Sequence, residues 1–222
     1  MADRRNRLRG LYAITDPKLS PGTRLLEDVK AALEGGAKII QYRDKESSDL
    51  DKLANAKYLQ SLCQAHDALF IINDDIELAH LIGADGIHIG KDDGHIQVAR
   101  QRLGEQAIIG VSCYNDLQRA QEMEQLGADY VAFGRFFPSQ TKPNAPSAEF
   151  ETLRKAKQQL SLPIVAIGGI TPENGKTLID QGADMLAVIH ALFSHPTPAQ
   201  IQATALQFGT LWKNHLNSKE TL

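Results

Sequence analysis

Eight short apolar runs rich in strand-forming residues recur along the chain. They are LYAITD (Leu11 to Asp16), KIIQYR (Lys38 to Arg43), LFIIND (Leu69 to Asp74), GIHIG (Gly86 to Gly90), IIGVSC (Ile108 to Cys113), YVAFGRF (Tyr130 to Phe136), PIVAIGG (Pro163 to Gly169) and MLAVIHALF (Met185 to Phe193). Their near-continuous apolar character, in place of clean alternation, is what strands covered on both faces require, as in parallel sheets. Between them apolar residues fall at helical spacing, as at Leu25, Val29, Ala32 and Leu33, or Leu153, Ala156 and Leu160. A short motif, GAD, recurs at Gly83 to Asp85, Gly127 to Asp129 and Gly182 to Asp184, with an echo at Gly35 to Lys38, always between a helical pattern and the next strand. Its glycine suits the left-handed residue that ends a helix, so the motif reads as punctuation. Eight such units in 222 residues predict an α/β chain folded as a (β/α)8 TIM barrel, with an open doubly wound sheet as the alternative. A last helix over about Pro198 to His215, carrying Leu206, Leu211 and a packing Trp212, would close the outer ring.

Composition narrows the picture. A chain that is 42% hydrophobic and 23% charged suits one filled domain over residues 1–222, with MADRRNRLRG a basic N-terminal arm. Arg4, Arg5, Arg7 and Arg9 read as a solvated arm, contact with a neighbouring subunit of a homo-oligomer being the alternative. The net charge of −3 argues against a nucleic-acid partner or an anionic membrane surface. No apolar stretch resembles a signal peptide or approaches the ~20 residues of a membrane span. Cys63 and Cys113 form no CxxC and read as core. A soluble, cytoplasmic protein acting on small molecules is expected.

In a barrel the chemistry sits where the strands end. Strand 2 ends in QYRDK, where two-residue periodicity puts Gln41, Arg43 and Lys45 on one face and Tyr42 and Asp44 on the other. Two cations and an amide converging on a barrel mouth call for an anion. Strand 3 ends in Asn73-Asp74-Asp75, and strand 4 is followed by Lys91-Asp92-Asp93. One acid of each pair suits a helix N-cap, which leaves the other free. Two such carboxylates near the cations suit Mg²⁺, whose shell is completed by water and phosphate oxygens, whereas no histidine or cysteine pair suits zinc. Ser112 ends strand 5 without a neighbouring base, so it reads as a hydrogen-bonding residue. Ser139, Thr141 and Lys142 lie in the loop after strand 6, and Gly168, Gly169, Thr171 and Pro172 follow strand 7. The loops after strands 7 and 8, the latter at Ile189-His190, form the usual phosphate cup of such barrels. One metal and Arg/Lys centre plus one backbone cup suggest two phosphorylated substrates, or one bisphosphate.

Together QYRDK, INDD, GIHIGKDD, GVSC, FPSQTK and AIGGIT closely resemble the thiamine phosphate synthase family, over about Leu11 to Phe193. The resemblance implies a Mg²⁺-dependent transferase on a (β/α)8 barrel. It joins 4-amino-2-methyl-5-hydroxymethylpyrimidine diphosphate to a (carboxy)thiazole phosphate, releasing pyrophosphate by a dissociative substitution. By position it assigns Gln41, Tyr42, Arg43, Asp44, Lys45, Asn73, Ser112 and Lys142 to the pyrimidine diphosphate, with Arg43, Lys45, Ser112 and Lys142 catalytic. It assigns Ser139, Gln140, Thr141, Gly169, Ile189 and His190 to the thiazole phosphate, and Asp74 and Asp93 to Mg²⁺. His190 and Ser139 depart from the serine and threonine expected there. His88, in mid-strand between Ile87 and Ile89, faces inward either as a packed histidine or as a site residue. A related thiazole tautomerase would not need the cations and metal, and a non-catalytic thiamine-phosphate sensor would be expected to carry a further module.

Overall fold

The computed structural model describes residues 4–90, 95–138 and 147–219. Eight parallel strands close into one barrel in sequence order. They are β1 (Gly10–Ile14), β2 (Ile39–Tyr42), β3 (Leu69–Asn73), β4 (Gly86–Ile89), β5 (Ile108–Tyr114), β6 (Tyr130–Phe133), β7 (Ile164–Ile167) and β8 (Met185–Val188). Around them run α1 (Arg24–Glu34), α2 (Asp49–Ala65), α3 (Ile76–Ile82), α4 (His95–Leu103), α5 (Leu117–Gln125), α6 (Phe150–Gln159), α7 (Pro172–Asp180), α8 (His190–Phe193) and α9 (Pro198–Lys219). The chain is thus a (β/α)8 barrel, and the open-sheet alternative falls with the pairing of β1 to β8. No helix among the described residues is long and apolar enough to cross a membrane.

The continuous apolar strands divide by parity into two cores. Ile40, Tyr42, Phe70, Ile72, Ile87 and Ile109 point outward into the layer beneath the helices. Leu8, Tyr12, Ile39, Ile71, Tyr130 and Val165 fill the interior. Two of the apolar runs extend past the strands they contain. The run Met185 to Phe193 is not one strand: β8 stops at Val188, and the next residues form the helical turn α8, whose Leu192 and Phe193 are buried in the outer layer. The strand end read at Ile189-His190 falls next to this break, and the apolar residues beyond it continue in the helical turn. The end of the run Tyr130 to Phe136 likewise leaves the sheet after Phe133.

At the lower, N-terminal rim the repeated GAD motif does more than end helices. Gly83, Gly127 and Gly182 do take positive φ (67°, 90° and 110°). The aspartate that follows two residues later forms a two-bond clamp on the preceding strand. Asp85 donates its amide to the Phe70 carbonyl (3.0 Å) and accepts the Phe70 amide on its carboxylate (2.9 Å). Asp129 does the same with Ile109 (2.7 and 2.8 Å), and Asp184 with Ile164 (2.9 and 2.9 Å). Cations back Asp129 and Asp184, through Arg100 (2.8 Å) and Lys157 (2.7 Å). Nor is the basic segment left to solvent. A 3₁₀ turn over Arg4–Arg7 lies under the barrel, with Leu8 buried in the interior, Arg5 paired to Asp129 and Arg7 to Asp67 (2.9 Å).

Candidate active site

The strands end around a cavity of about 750 Å³ that opens at the upper rim. Of the residues singled out in the sequence, Gln41, Arg43, Lys45, Asn73, Asp74 and Ser112 line one side, from β2, β3 and β5. Gly169, Ile189 and His190 line the other, after β7 and β8. A recess of about 350 Å³ adjoins it, bounded by Arg43, Lys45 and His190 and by the loop from Asp16 to Leu19. Asp92, Asp93, Ser139, Gln140, Thr141 and Lys142 lie outside the described residues.

Parity splits the QYRDK segment. Tyr42 points away from the cavity into the layer beneath the helices, and neither it nor Asp44 lines the site. The side chains of this pair form a local structure instead of facing a substrate. Tyr42 donates to Asp44 Oδ2 (3.3 Å), while Asp44 Oδ1 accepts the amides of Glu46 and Ser47 (2.9 and 3.0 Å). Burial alone would raise the Asp44 pKa, but the hydrogen bonds from Ser47, Glu46 and Tyr42 outweigh it and hold the carboxyl below its ordinary value. The turn so fixed leads into α2, capped by Ser48.

Arg43 is half-buried at the top of β2. Its backbone is pinned by the buried Thr15, whose hydroxyl accepts the Arg43 amide (2.9 Å) and donates to the Arg43 carbonyl (3.3 Å). Its guanidinium has no ion-pair partner among the described residues, and a partly desolvated cation of this kind favours an anionic ligand. Lys45 pairs with Asp74 (3.2 Å), which also accepts a hydrogen bond from the Asn73 amide (2.8 Å).

The adjacent acids of strand 3 divide their work. Asp75 is the N-cap of α3 and accepts the Leu78 amide (2.9 Å). Asp74 has a left-handed backbone (φ 61°) and keeps its carboxylate at the cavity mouth. That conformation costs about 1 kcal/mol in a non-glycine residue and is a recurrent mark of functional sites. A second such residue, Tyr114 (φ 57°), also lines the cavity, beyond a bulge in β5. Among the described residues no three metal-binding side chains cluster.

The glycines after β7 serve the fold. A Cβ on Gly168 would stand 2.3 Å from Arg135 Cβ, and one on Gly169 2.3 Å from the Pro138 carbonyl. The close approach they allow is therefore made by this chain's own β6 loop. Asn174 holds the following turn, accepting the Thr171 amide (2.9 Å) and donating to the Gly169 carbonyl (3.0 Å). Asn174→Ala is expected to lose about 1 kcal/mol, read as a fall of about 2–4 °C in the melting temperature.

Sequence reading missed five residues in and under this site. Arg135 lines the cavity directly after the β6 run and carries the same signal as Arg43, a cation where an apolar strand stops. Tyr12 and Tyr114 line it too, and Tyr130 lies behind the lining, hydrogen-bonded to Tyr12 and His88. Thr15, below Arg43, acts through the backbone and leaves no mark in a hydrophobic pattern.

The chain is also similar to known proteins. A family model described as thiamine monophosphate synthase covers residues 11–192. The thiamine-phosphate synthase of Alcanivorax borkumensis is 50% identical over 210 residues, 95% of this chain and 97% of that protein. That of Nitrosococcus oceani is 55% identical over 186 residues, 84% and 86% of the two chains. Among solved structures, a thiamine phosphate pyrophosphorylase from Pyrococcus furiosus superposes with a TM-score of 0.85 at 35% identity, covering 96% of this chain and 98% of that one.

Proposed function

The chain belongs to the thiamine monophosphate synthase family, and from that premise we propose that it joins a pyrimidinylmethyl diphosphate to a thiazole phosphate, releasing pyrophosphate and yielding thiamine phosphate. The observation that carries this reading is the division of one cavity into two sides. Gln41, Arg43, Lys45, Asn73 and Ser112 offer cations and donors on one, and Gly169, Ile189 and His190 form the other.

In this reading Arg43 and Lys45 bind the diphosphate, and their attraction grows as negative charge gathers on the leaving pyrophosphate. Interactions that strengthen along the reaction lower its barrier, whereas those equal throughout only tighten binding. Ser112 adds a neutral donor to the same group, and the Gln41 amide meets the ring. The apolar walls from Ile14, Val165 and Ile167 restrict water access to a reactive pyrimidinylmethyl cation. No base is required on the pyrimidine side for such a departure.

Mg²⁺ suits the oxygen donors present. Asp74 projects a carboxylate at the mouth with its amide neighbour Asn73, and Mg²⁺ is commonly held by one or two carboxylates with substrate phosphates. Asp74 would hold it, together with Asp93 from outside the described residues. When bound, the ion would neutralise charge on the diphosphate.

The test is a coupled assay on the purified protein with Mg²⁺ and both substrates. Pyrophosphate and thiamine phosphate are expected in equal amounts. Binding of both ligands without product would overturn the reading, and isomerisation of the thiazole alone would identify a tautomerase.

A further inference from the structure

A file of polar groups crosses the floor of the cavity where the surrounding interior is apolar. Gln41 Nε2 donates to the Tyr12 hydroxyl (2.8 Å), and Tyr12 and Tyr130 share a hydrogen bond (2.7 Å). Tyr130 meets His88 Nδ1 (3.0 Å), and His88 Nε2 meets the Ser112 hydroxyl (2.9 Å). Five residues from β1, β2, β4, β5 and β6 are thereby joined side chain to side chain. Its two ends, Gln41 and Ser112, both face the cavity.

Counting protons gives the file a direction. Tyr12 is fully buried and already accepts from Gln41, so its one proton must go to Tyr130 or stay unsatisfied, which would cost about 1–3 kcal/mol. The Tyr130 proton then has His88 Nδ1 as its acceptor. This leaves the histidine proton on Nε2, where it donates to Ser112. The Ser112 proton is released toward the cavity, and Gln41 keeps its carbonyl oxygen free. Burial raises the pKa of both tyrosines, so neither hydroxyl ionises to interrupt the chain. The Tyr130 ring also stacks on the His88 ring (centroids 5.6 Å apart), which holds the imidazole plane.

We infer that Tyr12, Tyr130 and His88 are positioning residues that couple the two ends: when Gln41 presents an acceptor to the cavity, Ser112 presents a donor, and reversing one reverses the other. The inference rests on the reading above, in which Gln41 meets the pyrimidine ring and Ser112 the diphosphate. A ring bearing an amino group donates to Gln41 and fits the direction drawn. A ring bearing an oxo group in its place requires Gln41 to turn its amide outward. The whole file then runs backwards, and Ser112 meets the diphosphate with a lone pair instead of a proton. Selection for the amino substituent is therefore enforced at a second point, at Ser112 on β5.

The experiment measures dissociation constants of the aminopyrimidine diphosphate and its oxo counterpart, without thiazole phosphate so that no turnover intervenes. Wild type is expected to prefer the amino compound by tenfold or more, and Tyr130→Phe to bring the two within about threefold of each other. Tyr12→Phe interrupts the file at another point without changing ring volume, and gives the same test should the first variant fold poorly. A wild-type preference retained in the folded phenylalanine variants while Gln41→Leu abolishes it would overturn the coupling alone. A preference unchanged in Gln41→Leu as well would show that Gln41 does not read the ring, and the underlying substrate assignment would fall with it. In the ¹⁵N spectrum of the imidazole, His88 is expected to carry its proton on Nε2. A proton on Nδ1 would overturn the direction.

Discussion

Asp74→Asn is expected to lower kcat/KM by about 10²–10³-fold, the range found when one charge-stabilising group is removed from a transition state, while the barrel remains folded. Asparagine accepts the left-handed backbone of this position (φ 61°) nearly as readily as aspartate, so the change isolates the carboxylate from the conformation. The loss should be deepest at limiting Mg²⁺. The neighbouring Asp75→Asn provides the contrast. Asparagine caps a helix as well as aspartate does, so α3 should persist and the rate should change little, although the two acids adjoin in sequence. Initial rates of pyrophosphate release across a Mg²⁺ series, with urea unfolding of each variant, separate the two. Wild-type rates for Asp74→Asn at limiting Mg²⁺ would remove Asp74 from the proposed metal site.

Gly110→Ala is expected to be a strongly damaging single-methyl change in the interior. Gly110 lies beside Tyr130 across the β5–β6 ladder, and a Cβ there would stand 1.9 Å from Tyr130 Cζ. The tyrosine cannot swing aside cheaply, because it is fully buried and its hydroxyl is held by both Tyr12 and His88. Overpacking of this kind costs about 3 kcal/mol, or a fall of about 6–12 °C in melting temperature for a chain of this size. Since relief requires the ring to move, affinity for the aminopyrimidine diphosphate should fall with stability. Thermal unfolding and ligand titration on the same preparation check both, and an unchanged melting temperature would mean that the interior has slack at this point.

What could be read without coordinates follows from where polarity interrupts an apolar strand. Gln41, Arg43, Asn73, Asp74 and Ser112 each stand at or just beyond the end of such a run, and the barrel brings all of them to one cavity. Tyr42 and Asp44 were grouped with them by motif, although strand parity already placed them on the other face. The side-chain positions agree with parity. Tyr12 and Tyr130 were illegible for a different reason. A tyrosine within an apolar run has one pattern whether it packs or bonds, and these two meet only because the sheet closes, bringing residues 118 positions apart to 2.7 Å. Arg135 carried as good a signal as Arg43 and was passed over in a loop read for its hydroxyls.

The clamps formed by Asp85, Asp129 and Asp184 at the lower rim have a bearing on the chemistry at the upper one. Side chains alternate along a strand, so a slip of one residue between neighbours would send every inward group outward. Ile109, gripped by Asp129, is three residues from Ser112, and Phe70, gripped by Asp85, is three from Asn73. Each clamp acts as the zero mark of a ruler about 10 Å long, from which the heights of the cavity-facing residues are measured. Loops above that mark can be exchanged without recalibration, whereas loss of an aspartate below it would blur the spacing of a floor it never touches.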